Sequence, residues 1–262
     1  MDTIDDPHPR FVVGVDFGTT YVSCHYFLPN ISAPILPLTL QCSSFTKVIF
    51  AHSSSPNEVK LVQDWPNCNS DYVPSVIQYT EKPTRVKQWG YEVVNANSGS
   101  PVALKWFKLL LQDQLKATES HKPTQTVHSH LNGLTLSENR SNSSVFIPPT
   151  TTYANDTAHA IECLKISVVT VISDFLKLVL DLTKETIDRT YGEKFVRGSK
   201  MEYVLTVPAI WTDLAKDLMV KAAESAGFGT FRVDFKLIGE PESAAVYSLK
   251  KIKPNSLKAS NL

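Results

Sequence analysis

The chain of 262 residues carries 26 Lys and Arg against 26 Asp and Glu, so its formal net charge is zero. A balanced charge gives no electrostatic basis for binding nucleic acid or an anionic membrane, and neither is expected as a partner. The hydrophobic fraction of 42% and the charged fraction of 20% are ordinary for a globular protein.

The four cysteines form no Cys-x-x-Cys pair and have no histidine cluster near them. This pattern argues against a disulfide framework or a zinc site and favours a reducing compartment. The first residues are acidic and polar, unlike a secretory signal. No apolar run approaches the roughly 20 residues that a membrane-spanning helix needs. We therefore expect the protein in the cytoplasm, or alternatively in the nucleus.

Extended segments are predicted in the first part of the chain. Residues 11–17 and 21–28 are apolar runs joined by a glycine-containing turn, which is typical of a β-hairpin. A third strand is predicted over 45–52 and a further short strand over 72–79. Between these two, residues 53–70 are rich in Ser, Pro and Asn and are predicted to form a loop.

The middle of the chain predicts two helices separated by a polar segment. Apolar residues lie on one face of a helix predicted over 102–115. Residues 118–152 lack periodicity and few are bulky and apolar, which predicts an exposed low-complexity segment inside an insertion of about 53–155. Apolar residues at three- and four-residue steps then predict one helix from about 156 to 191, ended by Gly192.

Strands and helices alternate in the last part of the chain. A strand over 203–207 is closed by Pro208, and a helix runs from an N-cap at Thr212 or Asp213 to a C-cap at Gly227. A strand over 233–238 leads into a helix that ends near residue 251. The order βββαβαβα predicts an α/β layered domain over 11–252, flanked by disordered residues 1–10 and a frayed tail, 253–262.

The turn after the first predicted strand has the composition of a phosphate-binding site. Gly18 lets the backbone approach a phosphate, and the N–H groups around Gly18, Thr19 and Thr20 can bind an anion. Asp16 can hold a hydrated Mg²⁺, because that ion prefers oxygen ligands and keeps several waters. The alternative is an ordinary hairpin turn, in which a cation or several N–H groups would still have to satisfy Asp16.

Three separated blocks resemble the heat shock protein 70 family of actin-like ATPases. In chain order they are Gly14-Val15-Asp16-Phe17-Gly18-Thr19-Thr20-Tyr21, Leu205-Thr206-Val207-Pro208-Ala209-Ile210-Trp211-Thr212-Asp213 and Gly239-Glu240-Pro241-Glu242-Ser243-Ala244-Ala245-Val246-Tyr247. The resemblance implies a divergent member with an actin-like, ribonuclease-H-like lobe, in which helices flank a mixed sheet. It also implies ATP and Mg²⁺ as ligands, and client or co-chaperone proteins as partners.

The resemblance assigns ligand roles to two sets of residues. Asp16 and Glu240 would hold Mg²⁺ through water, and Glu240 would also reach the attacking water. The site of the β- and γ-phosphates would be lined by Gly18, Thr19, Thr20 and Tyr21. The structural alternative for Glu240 is that it serves only as an acid at a helix N-terminus, where negative charge is stabilising.

A cleft lysine and a relay complete the roles that the resemblance implies. A lysine from the segment 102–115 would stabilise transferred charge; Lys108 is preferred over Lys105, although the spacing does not decide between them. Pro208 and Lys216 would relay the nucleotide state to the outer face of the lobe. Lys216 stands where the family has arginine, so it keeps the charge without the forked, bidentate contact. Each of these lysines could equally be an ordinary solvated side chain, and Pro208 a simple strand terminator.

The actin-like fold has a second lobe with an Asp-x-Gly-Gly-Gly-Thr loop and an adenosine-binding segment, and neither motif occurs here. We therefore expect an ATP–Mg-binding lobe of a heat shock protein 70-like chaperone ATPase, incomplete and weakly active or inactive by itself. The alternative is a non-catalytic interaction module that keeps the lobe fold, as a pseudo-ATPase or a truncated gene product. The Glu-Pro-Glu-Ser-Ala-Ala block argues against a sugar or acetate kinase.

Overall fold

The computed structural model describes part of the chain, namely residues 9–18, 45–82, 84–96, 103–112 and 149–251, without the side chains of 149–154 and 246–251. Within these ranges a mixed sheet is flanked by helices, which confirms the expected α/β class. The predicted strand 21–28, the predicted tail 253–262 and most of the segment 118–152 lie outside the described residues.

The described strands and helices follow one another along the chain. The strands are β1 (Arg10–Phe17), β2 (Phe45–His52), β3 (Lys60–Leu61), β4 (Asp64–Trp65), β5 (Cys68–Asn69), β6 (Val73–Pro74), β7 (Val76–Glu81), β8 (Thr84–Trp89), β9 (Leu104–Lys105), β10 (Lys200–Val207) and β11 (Phe235–Gly239). The helices are α1 (Tyr91–Val94), a 3₁₀ helix (Phe107–Leu109), α2 (Pro149–Leu164), α3 (Val168–Tyr191), α4 (Glu193–Arg197), α5 (Asp213–Ala226) and α6 (Glu240–Lys251).

The main sheet has the strand order β11-β10-β1-β2-β3, with β6 also paired to β2. β1, β10 and β11 are mutually parallel, whereas β2 runs antiparallel to β1. Alternate residues of β1 are buried, as expected when one face of a strand packs on the core. Because the three parallel strands share one direction, their carboxyl ends meet at a single edge, which is called the carboxyl edge below.

An aromatic cluster joins the two larger sheets. Phe175 of α3 stacks on Phe17 of β1 with ring centroids 5.7 Å apart. The same ring lies 5.7 Å from Phe107 in the 3₁₀ helix and 5.8 Å from Trp89 of β8, which belongs to the second sheet, β8-β7-β9. The core therefore fixes the 3₁₀ helix against the end of β1.

The long helix predicted from 156 to 191 is two helices, α2 and α3. The chain breaks at Lys165, whose φ of 55° is left-handed, and Ser167 then caps α3 by accepting a hydrogen bond from the N–H of Thr170 at 3.0 Å. Apolar periodicity continues through this break because both helices pack on the same core. α2 also begins at Pro149, so the last residues of the predicted low-complexity segment are helical.

The prediction of a helix over 102–115 is also wrong for most of the residues that the structure describes there. β9 and the 3₁₀ helix occupy this region, Trp106 has a left-handed φ of 61°, and α-helical geometry begins only at residue 110. Leu104 pairs with Ile77 in the second sheet, and this long-range pairing prevails over the helical spacing. The predicted loop 53–70 likewise contains β3, β4 and β5.

The last third of the chain follows its local signals. Thr212 caps α5 by accepting a hydrogen bond from the N–H of Ala215, and Gly227 ends that helix with a left-handed φ of 97°. Gly192 ends α3 as predicted, and α6 extends to Lys251, the last residue that the structure describes. Among the described residues, no helix has the length and apolar character needed to cross a bilayer.

Candidate functional site

Asp16 lies near the end of β1 at the carboxyl edge. Its side chain is exposed, and Oδ1 accepts a hydrogen bond from Oγ1 of Thr206 on the adjacent parallel strand at 2.7 Å. The parallel register of β1 and β10, which pairs Val15 with Leu205, brings these two polar residues together. A carboxylate with one hydroxyl donor and access to solvent retains lone pairs for a further ligand.

Gly18 is bonded differently from the expectation for a phosphate turn. Its N–H donates to the carbonyl oxygen of Phe45 at 3.0 Å, so this N–H extends the pairing of β1 with β2. The other predicted phosphate-site residues, Thr19, Thr20 and Tyr21, lie outside the described residues.

Lys108 is brought to the same edge from the 3₁₀ helix. Its side chain is only 1% exposed, and Nζ donates a hydrogen bond to the carbonyl oxygen of Phe17. Nζ also lies 3.7 Å from Oε1 of Glu240. Of the two candidate lysines, Lys108 is therefore the one that lies at this edge, whereas Lys105 is exposed on β9, where its backbone bonds to Thr157.

Burial controls the protonation of Lys108. Desolvation lowers the pKa of its amine from 10.5 to about 8, while the carboxylates of Glu240 and Asp16 oppose that shift. A pKa of about 8 leaves the ammonium form dominant at pH 7. A positive charge is thus held at the carboxyl edge with two carboxylates facing it.

Glu240 is the first residue of α6, directly after β11. Its side chain is 43% exposed, so the carboxylate is partly solvated even though one oxygen faces Lys108. An acid at this position also interacts favourably with the positive end of the helix dipole. The predicted Mg²⁺ ligands Asp16 and Glu240 therefore both lie near the Lys108 amine, one on each side of β10.

The residues at the edge fit a Mg²⁺ ion that keeps its bound waters better than one that has lost them. Mg²⁺ is usually held in proteins by one or two carboxylates, several waters and phosphate oxygens. Asp16 and Glu240 provide two such carboxylates. Among the described residues, no group of three or more His, Cys, Asp or Glu is placed to hold a metal ion.

Pro208 and Lys216, the predicted relay, line one cleft of about 510 Å³. Val207 and Gly239, the last residues of β10 and β11, line it too, so the cleft adjoins the carboxyl edge. Nζ of Lys216 lies 3.3 Å from Oδ1 of Asp213 one turn earlier in α5.

Two residues of this region carry no role in the sequence-based assignment. Thr206 could have been found as a hydroxyl residue within an apolar strand, two positions before Pro208. The sequence predicts that Trp211 is a core aromatic residue, and its side chain is only 5% exposed. Its ring nevertheless lies 5.2 Å from Nζ of Lys108, a contact between distant segments that no local signal predicts.

The sequence matches no protein-family model, and no curated protein matches it. Function is therefore inferred from the geometry of the carboxyl edge.

Proposed function

We propose that the carboxyl edge of β1, β10 and β11 binds Mg²⁺–ATP, as part of an actin-like lobe of a heat shock protein 70-like chaperone. The observation that carries the proposal is the convergence of Lys108 and Glu240, from distant parts of the chain, beside the carboxylate of Asp16. In open α/β sheets, ligands bind in the crevice outside the carboxyl ends of the strands. This general rule supports the edge as the nucleotide site.

The side chains at the edge suit the charges of a bound nucleotide. Asp16 and Glu240 would hold the hydrated ion, whose charge offsets that of the phosphates. The buried Lys108 ammonium would offset phosphate charge from beneath the edge, because phosphoryl groups are stabilised largely by positioned cations and donors. Thr206 keeps the Asp16 carboxylate oriented through its hydrogen bond.

Binding, with little turnover, is the activity proposed for this chain by itself. Phosphoryl transfer needs charge stabilisation on both sides of the phosphate. No Asp-x-Gly-Gly-Gly-Thr loop, which would supply the opposite side, occurs in the 262 residues. The proposal further includes client or co-chaperone proteins as partners and the cytoplasm or nucleus as the location.

A non-catalytic interaction module is the second candidate function. Two exposed apolar side chains favour it, Ile210 at 78% and Val233 at 62% exposure. Each is next in sequence to a residue that lines the cleft at Pro208. In that case a partner would be retained equally by the wild type and by Thr19→Val.

Isothermal titration calorimetry with Mg²⁺–ATP tests the proposal. We expect saturable binding by the wild type, and affinity at least about tenfold weaker in Asp16→Asn and Glu240→Gln, since each loses a charged ligand to the ion. Asp181→Asn is the matched control, because Asp181 is exposed on α3, where its carboxylate pairs with Lys177. Chelation of Mg²⁺ should weaken wild-type binding as well.

Two results would contradict nucleotide binding at this edge. One is an absence of heat from the wild type at millimolar Mg²⁺–ATP. The other is equal affinity in Asp16→Asn, Glu240→Gln and Asp181→Asn, which would place any bound nucleotide elsewhere.

A further inference from the structure

The histidine and the cysteine of α2 lie one turn apart on the solvent side of that helix. Cys163 follows His159 by four residues, which is the spacing that places two side chains on one helix face. Both side chains are exposed, and Sγ of Cys163 lies 3.7 Å from Nε2 of His159. The pair therefore presents a sulfur atom and a ring nitrogen side by side to solvent.

The opposite face of α2 anchors the helix to the rest of the protein. Oγ1 of Thr157 accepts a hydrogen bond from the backbone N–H of Lys105 at 3.2 Å and donates one to the carbonyl oxygen of Lys105 at 2.7 Å. The side chains of Thr157 and Ile161 are both buried. Because these two residues hold the inner face, His159 and Cys163 are kept on the outer face.

The distance between the sulfur and the nitrogen is close to that between two ligands of one zinc ion. Bonds of about 2.3 Å from Zn²⁺ to sulfur and about 2.0 Å to nitrogen, at a tetrahedral angle, place the two ligand atoms about 3.5 Å apart. The observed 3.7 Å requires only a small adjustment of two exposed side chains. Thiolate and imidazole are also ligands that suit Zn²⁺, whereas Mg²⁺ prefers oxygen.

We propose that His159 and Cys163 form a binding site for Zn²⁺ on the outer face of α2. Nε2 of the neutral imidazole binds the ion through its lone pair. The thiol of Cys163 releases its proton to solvent as the metal–sulfur bond forms. Water fills the remaining positions, because the described residues include no group of three metal ligands. Asp156, which is exposed one turn before His159, adds negative charge to the same face.

The site on α2 is separate from the carboxyl edge and shares no residue with it, so this inference does not rest on nucleotide binding. It also differs from the Cys-x-x-Cys type of zinc site, against which the cysteine spacing argues. Structural zinc sites have four protein ligands and no open position. A site with two protein ligands and bound water instead leaves its ion exchangeable and open to a further ligand.

Titration of the reduced, full-length chain with Co²⁺ tests this site, because Co²⁺ can occupy zinc sites and absorbs in the near ultraviolet when a thiolate is bound to it. We expect the wild type to show this absorption. Zn²⁺ should abolish it, since Zn²⁺ binds such ligands more tightly than Co²⁺, and excess Mg²⁺ should leave it unchanged. The absorption should be lost in Cys163→Ser. In His159→Gln the affinity for Co²⁺ should fall at least about tenfold, because loss of even a supporting residue costs that much.

Two control variants distinguish the pair from an isolated thiol or imidazole. Cys68→Ser removes the other cysteine that the structure describes, whose Sγ lies 3.8 Å from the carbonyl oxygen of Asn69, and it should leave the titration unchanged. The double variant Ala158→His/His159→Ala keeps the composition but moves the imidazole about 100° around the helix. Both positions are exposed, so the fold should tolerate the exchange, and affinity should fall as it does in His159→Gln.

Three results would overturn the inference. Absence of the thiolate absorption in the wild type would mean that no cysteine binds the ion. Absorption that persists in Cys163→Ser would assign the ion to another cysteine. Equal affinity in the wild type and in Ala158→His/His159→Ala would show that the imidazole at position 159 is not a ligand.

Discussion

Lys108 shows, at the scale of a single residue, a conflict between stability and site chemistry. A buried ammonium is costly unless paired, and its carboxylate partner Glu240 is 3.7 Å away and half-exposed. Its folded-state pKa of about 8 lies below the ordinary 10.5, so the unfolded chain binds more protons between these values. Stability should therefore be complete only above about pH 10.5 and decline as pH falls through about 8.

We predict that the free energy of unfolding rises by about 2 kcal/mol between about pH 8 and about pH 9.5, and that Lys108→Met abolishes this rise. Urea denaturation at several pH values measures both. Readings should stop near pH 10, because burial raises the pKa of Tyr203 to about 12 and also raises that of Tyr79. Those phenols stay protonated only when folded, so they lower stability at higher pH. A wild-type profile that matches Lys108→Met would mean that the amine is solvated.

Helix ends illustrate, at the scale of the element, how backbone conformation sets the cost of a substitution. Gly227 and Gly198 both cap the C-terminal ends of helices, but φ is 97° at Gly227 and −83° at Gly198. A Cβ at either position would meet only ordinary contacts, 3.8 Å from Leu180 at Gly227 and 3.6 Å from Phe195 at Gly198. The two sites therefore differ in the backbone strain that alanine would meet, whereas the room available for its methyl group is similar.

We predict that Gly227→Ala lowers the free energy of unfolding by about 1 kcal/mol, because an L-residue resists positive φ. Gly198→Ala should be neutral or slightly stabilising, since alanine adopts that conformation and restricts the unfolded chain. Urea denaturation of the two variants side by side measures the difference. Equal losses of stability in the two variants would show that the positive φ at Gly227 is not what favours glycine at the end of α5.

The aromatic cluster centred on Phe175 couples the two sheets at the scale of the whole molecule. The ring is fully buried and contacts β1, β8 and the 3₁₀ helix that carries Lys108. Stability, sheet packing and site geometry thus depend on one side chain. Phe195 offers a contrast, because it is 45% exposed at the rim of a separate aromatic group.

We predict that Phe175→Ala lowers the free energy of unfolding by about 3–5 kcal/mol, through lost burial and the cavity left behind. It should also weaken Mg²⁺–ATP binding, because the support beneath Lys108 is removed. Phe195→Ala should cost distinctly less and leave binding unchanged. Denaturation followed by fluorescence and circular dichroism, with calorimetry, measures both effects. A low cost for Phe175→Ala would mean that the sheets are held together elsewhere.

The sequence signals whose predictions the structure confirms act between residues a few positions apart in the chain. Thr212 and Gly227 cap α5 through bonds to residues a few positions away. Where distant residues compete, the predictions failed. The apolar spacing over 102–115 predicts a helix, yet Leu104 in this segment pairs with Ile77. The apolar face shared by α2 and α3 likewise gave no sign of the break at Lys165.

The same distinction divides the candidate site. Asp16 and Glu240 could be selected as candidates from sequence, because Asp16 stands near the end of an apolar strand before a glycine and Glu240 begins a helix directly after a strand. The selection of Lys108 over Lys105, the bond from Thr206 to Asp16 and the ring of Trp211 above the amine all join segments far apart in the chain. Contacts of this kind come from parallel strand register and core packing, which depend on the whole fold and leave no periodic trace along the chain.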